Sequence, residues 1–67
     1  MQKRLLDAKM VEHGFTNEKL AQILEIDIVT LYRKKNGHTD FYRREIQTIK
    51  KALNLSNEDV NSIFFTE

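Results

Sequence analysis

The chain has 67 residues, a net charge of +1, and neither cysteine nor proline. That length makes one domain near the lower limit for unaided folding, and without cysteine no disulfide or thiolate metal site can assist it. A composition of 31% charged and 40% hydrophobic residues excludes a disordered chain, no apolar run reaches the roughly 20 residues of a membrane span, and MQKRLLDAKM is too polar for a secretory signal, so a cytoplasmic location is expected.

The first helix is predicted from Lys3 to His13, with Leu6 and Met10 four apart on one face and Leu5 beside them. Gly14 follows as its C-terminal cap, where positive φ costs little. The second helix is predicted over Thr16–Leu24 and the third over Ile28–Asn36, closed by Asn36-Gly37. Thr16 and Asp27 are residues whose side-chain oxygens can accept a bond from an orphan backbone N–H at a helix start. Phe15 with Leu20, and Ile26 with Leu31, bracket those starts at hydrophobic-staple spacing. Leu20, Leu24 and Leu31 form the inward face, and Ala21 is small where the two helices would cross closely. The outer side of the third helix then carries Ile28, Val29, Tyr32 and Arg33. That set is odd for a merely solvated surface and suits the edge of a DNA base pair.

The loop His38-Thr39-Asp40-Phe41 leads to a fourth helix, roughly Tyr42–Leu53, with Ile46, Ile49 and Leu53 on its apolar side. Its start has two solutions. Asp40 is a good cap residue; capping at Tyr42 instead sets Glu45 at the third helical position and pairs Phe41 with Ile46. Ser56-Asn57-Glu58-Asp59 is a capping-box pattern for a fifth helix, stapled by Leu55 and Val60 and continued by Ile63, Phe64 and Phe65. Consecutive helical positions such as Phe64 and Phe65 point about 100° apart. If one ring enters the core, the other stays near the surface; in the competing arrangement the tail folds back and both rings finish the core.

Charge is unevenly placed. Residues 31–51 hold seven bases, Arg33, Lys34, Lys35, Arg43, Arg44, Lys50 and Lys51, against Asp40 and Glu45, a local net of +5 that leaves −4 for the rest. Such a dipole can orient a polyanion on one face, although solvated helix faces give the same count.

Five short helices in this order resemble the small phage repressor and Cro-like helix-turn-helix family. The resemblance covers nearly the whole chain. It rests on the Thr16 cap, Leu20-Ala21, Leu24, Ile26, Thr30-Leu31, Asn36-Gly37, Phe41, Glu45-Ile46, Leu53-Asn54-Leu55-Ser56 and Ile63-Phe64-Phe65. It implies an all-α, five-helix, lambda-repressor-like domain over residues 1–67, with a recognition helix at about 28–36 that enters the major groove. Two departures stand out. Glu25 occupies the turn position that the family usually gives to glycine, so it must take φ > 0 at a cost of about 1 kcal/mol, or the turn must differ. Lys35 stands where the family commonly has an inward apolar residue, and its aliphatic stem can cover the core while its ammonium reaches out.

Each base pair shows its own donor, acceptor and methyl pattern in the major groove. Arg33 has the fork for guanine, or it can hold a phosphate. Ile28 and Val29 can meet thymine methyls, or lie half-buried against neighbouring helices. Tyr32 can meet either a base or a phosphate. Asn17 sits at a helix N-terminus, where free N–H groups and the dipole favour an anion. Lys34, Lys35, His38, Thr39 and Arg43 would follow the phosphate backbone beyond the recognition helix, whereas Arg44, Lys50 and Lys51 can equally face plain solvent.

The expected function is a sequence-specific, operator-binding transcriptional regulator of phage or prophage type. It would act on double-stranded DNA as a homodimer through Phe64 and Phe65, either weak in solution or formed only on DNA. With no sensor domain after Glu67, control would come from concentration, from a partner or from a larger protein. One alternative is a protein-interaction module, an antirepressor or inhibitor, using Ile28, Val29, Tyr32 and Phe64-Phe65. Another is a non-specific nucleoid or RNA-binding protein, against which the near-neutral total charge speaks. An enzyme is not expected: His13 and His38 lie apart, Ser56 has a capping role, and no glycine-rich phosphate loop or metal-ligand spacing occurs. No cofactor or metal is expected.

Overall fold

In a computed structural model, residues 1–65 are described and form α1 (Lys3–Glu12), α2 (Asn17–Leu24), α3 (Ile28–Lys35), α4 (Arg43–Ala52) and α5 (Asn57–Phe64). No strand occurs among the described residues. The all-α, five-helix architecture is the expected one. No helix of the described residues is long and apolar enough to cross a membrane.

Three of the five helix starts are held by local side-chain chemistry. Thr16 Oγ1 accepts from the Lys19 N–H at 3.1 Å. Ser56 Oγ accepts from the Asp59 N–H at 3.0 Å while Asp59 Oδ2 accepts from the Ser56 N–H at 3.1 Å, the reciprocal box. The Ser56 N–H bond in turn holds the Asp59 carboxyl below its ordinary pKa, helped by the Ser56 hydroxyl and Lys9. At α4 the Tyr42 solution is the one adopted: Glu45 Oε1 accepts from the Tyr42 N–H at 2.7 Å, and Asp40 does not cap. At α1 the Gln2 side chain makes no cap bond, and neither does that of Asp27, the N-cap residue of α3. The carboxylate is exposed, so water solvates it, and it still complements the helix dipole.

The first four helices end alike. A left-handed residue follows each of them: Gly14 (φ +69°), Glu25 (φ +58°), Gly37 (φ +82°) and Asn54 (φ +51°). The next N–H then reaches back across the last turn, Phe15 to Met10 at 2.7 Å, Ile26 to Ala21 at 3.0 Å, His38 to Arg33 at 2.9 Å and Leu55 to Lys50 at 2.9 Å. This is the Schellman arrangement. Glu25 therefore keeps the turn by taking φ > 0 rather than by altering it.

The ends place Phe15, Ile26 and Leu55 back over the helices they close, and the core forms between. Leu6, Leu20, Leu31, Ile49, Leu53 and Ile63 are fully buried. Helix α2 packs on α3 and α4, and α5 packs on α1 and α4. The Gln2 N–H donates to the Ile63 carbonyl at 2.7 Å, joining the two ends of the fold. This frame leaves one flank of α3 uncovered.

Candidate nucleic-acid interface

Helix α3 has a face that the other described residues do not cover. Val29 is 56% exposed and Tyr32 45%. Arg33 is also exposed. These three, with Asn36, His38 and Thr39, line one shallow depression of about 510 Å³. The first three come from successive outward positions of α3, and the last two from the loop that the Gly37 turn folds back beside it. Asn36 was not among the expected site residues. It lies three and four positions after Arg33 and Tyr32, so helical spacing alone could have included it. Its Oδ1 accepts from Lys3 Nζ at 3.0 Å, which ties α1 to this edge.

Ile28 stands partly outside the set. It is half-buried and packs against the core, the second of the two positions open to it.

Two expected phosphate residues are corrected. Lys34 is 5% exposed and Lys35 4%. Lys34 Nζ pairs with Glu45 Oε1 at 3.1 Å, donates to the Asp40 carbonyl at 3.0 Å and lies 4.2 Å from the Tyr42 ring centroid. Lys35 Nζ pairs with Asp7 Oδ1 at 2.5 Å and donates to Asn17 Oδ1 at 2.7 Å. It does not reach out over the core, as its stem length would permit; the ammonium itself is interior. Both positions follow Leu31 by three and four residues, the face that Leu31 sets inward. Each ammonium finds a carboxylate, so neither is available to a phosphate.

The remaining expected residues are placed as follows. Asn17 is half-buried at the first turn of α2, its carboxamide oxygen taken by Lys35. His38, Thr39 and Arg43 are exposed on the loop after α3 and at the start of α4. With Lys34 and Lys35 paired internally, Arg33 is the one cation lining the α3 depression among the described residues, while Arg44 borders α2 beside Ile23, Leu24 and Glu25. Lys50 is hydrogen-bonded to Asn57 Oδ1.

The two C-terminal rings separate. Phe64 is half-buried and meets Phe41 edge-on, centroids 5.5 Å apart at 81°. Its ring is thus engaged within the protein, with part of its surface still open beside Phe65. Phe65 is 66% exposed. It borders an apolar groove of about 460 Å³ between α4 and α5, lined by Phe41, Arg43, Ile46, Gln47 and Val60.

Residues 5–65 match the family model of the Cro/C1-type HTH DNA-binding domain. No curated protein and no solved structure matches the chain.

Proposed function

Since the chain belongs to the Cro/C1-type HTH DNA-binding family, we propose that it is a cytoplasmic, sequence-specific transcriptional regulator of phage or prophage type that places α3 in the major groove of operator DNA. The observation that carries this reading is the shared exposed surface of Val29, Tyr32, Arg33, Asn36, His38 and Thr39. A B-DNA major groove admits a helix, and these residue types suit what it displays. Arg33 takes the O6 and N7 of a guanine. Val29 takes a thymine methyl, and Tyr32 takes a base edge or a phosphate. Ile28, half-buried, contributes at most its outer edge to base contact. Asn17, His38, Thr39 and Arg43 hold the phosphates on either side of the groove.

One such helix reads few base pairs, so two copies bind half-sites about one helical turn apart. The second copy meets the first through Phe65 and the groove beside it. So small a surface gives a weak dimer, formed on DNA. A competing use of the same exposed rings is the capture of a protein partner.

Binding-site selection from random duplexes, followed by salt titration on selected and random DNA, tests the reading. An enriched sequence bound far more tightly than random duplex supports it. Equal affinity for both, with a steep salt dependence, indicates non-specific binding. No affinity for duplex at all, with Val29 and Tyr32 still exposed, favours the protein-interaction use.

A further inference from the structure

Lys35 presents a puzzle that DNA binding alone does not resolve. An apolar residue of similar length would fill its space without desolvating a charge, and burying an ammonium is unfavourable until its partners offset it. The partners here are unusual in their origins. Asp7 lies on α1, Asn17 opens α2, and Met10 Sδ is 3.8 Å away, so one ammonium on α3 touches both preceding helices.

An ammonium only donates. It therefore decides which end of the Asn17 carboxamide faces inward. Oδ1 is turned to Lys35, which leaves Nδ2 on the opposite side of the carboxamide carbon, with no acceptor among the described residues. Asp7, 44% exposed on its side chain, offsets the charge of the ammonium. Lys35 thus acts on its surroundings through direction rather than through net charge.

We propose that Lys35 is a positioning residue for DNA binding: it holds the Asn17 carboxamide so that its NH2 group, and not its oxygen, is offered to a backbone phosphate at the first turn of α2. The proposal rests on the DNA-binding reading above. Without Lys35 the carboxamide turns freely about its last torsion, which is broad and roughly two-fold. In half of those orientations it sets an acceptor oxygen against a phosphate. With Lys35 only the donor orientation remains, beside free N–H groups and the positive end of the helix dipole.

The test replaces single phosphates of a selected duplex by neutral methylphosphonates and measures binding of wild type, Asn17→Ala and Lys35→Met. Wild type should lose about tenfold at one phosphate per half-site, the scale of one hydrogen bond to a charged group. Both variants should lose that sensitivity at that phosphate and keep the rest of the wild-type profile, a pattern that general destabilisation of the fold does not produce. Lys35→Met retaining the sensitivity that Asn17→Ala has lost overturns the proposal. So does an unaltered profile in Asn17→Ala. A wild type that binds no duplex instead sinks the DNA-binding reading itself. Should Lys35→Met fail to fold, side-chain 15N relaxation of Asn17 in the free wild type decides: a rigid NH2 supports the proposal, and a freely turning one overturns it.

Discussion

The two sides of α3 invert the usual sorting of side chains. Val29 and Tyr32 stand in solvent, while Lys34 and Lys35 lie inside. Polarity alone would have exchanged them. What differs is the supply of partners. Glu45, the Asp40 carbonyl and the Tyr42 ring surround Lys34, and Asp7 and Asn17 receive Lys35. No buried side-chain nitrogen or oxygen among the described residues lacks a hydrogen bond. The outward apolar residues have no such reception among the described residues, and their exposure is what a binding surface requires. The paired lysines also fix the roll of the helix. Turning α3 by one residue would pull Lys34 or Lys35 from its carboxylate and bring Arg33 toward the interior without one.

The sharpest way to break this contrast is to remove a receiver. Glu45→Ala should cost about 3–5 kcal/mol in urea unfolding, because it strands the Lys34 ammonium in the interior. Replacing both members together, Lys34→Met with Glu45→Leu, should recover most of that loss. If Glu45→Ala unfolds no more easily than wild type, the pair has no hold on α3.

Next in size is the inner apolar position. Leu31 is fully buried, so Leu31→Ala should cost about 2–5 kcal/mol. Val29→Ala, on the other side of the same helix, should stay within about 0.5 kcal/mol. Equal losses in thermal melting would show that the two faces are not distinct.

On the outward side the expected effect moves from stability to recognition. Arg33→Ala should relax preference at one base pair by about 1–3 kcal/mol and leave melting unchanged. Arg43→Ala should weaken all sequences alike and flatten the salt slope by about one. Site selection on the two variants separates base readout from phosphate holding; unchanged preference in Arg33→Ala would remove it from the base-reading set.

Smaller again is the turn that sets the angle of α3. Glu25 holds φ +58°, a conformation that costs an L-residue about 1 kcal/mol and glycine almost nothing, so Glu25→Gly should raise stability by about that amount. A destabilised Glu25→Gly would mean that the glutamate side chain supplies something the geometry does not reveal.

The smallest effect belongs to a half-exposed charge, in contrast to the buried Lys34 and Lys35. The Asp59 carboxyl is held below its ordinary pKa, first by the Ser56 N–H. A lowered folded-state pKa contributes stability above the unfolded value and loses it as pH falls through the folded one. The advantage of wild type over Asp59→Ala should therefore persist at neutral pH and shrink as acid takes the solution below about pH 4. An advantage that does not change with pH would assign the effect to helix propensity alone.

Much of this was legible from local pattern. Thr16 and Ser56 cap as their types imply, Gly14 and Gly37 close their helices, and the staple residues fall on the core side. The order of five helices follows from these signals, each confined to a few neighbouring residues. Lys34 and Lys35 were not legible in the same way. Their spacing from Leu31 points inward, but their charge points outward, and the carboxylates that settle the matter lie 11 and 28 positions away. Asp27 failed for the converse reason: the residue type permits a cap, and exposure lets water serve instead. For Phe64 and Phe65 the separation of the rings followed from helix geometry, whereas the choice of Phe64 for the interior required the position of Phe41.

The bond from Gln2 to Ile63 has a temporal consequence. Helix α1 leaves the ribosome before the rest of the domain, yet α5, its main packing partner, is made last. At about 5–20 residues per second the interval is on the order of several seconds. Leu6 and Met10 must spend it without their final cover. In that time α3 can already hold α1, through Lys35 to Asp7 and Asn36 to Lys3, while the apolar face of α1 still waits for α5.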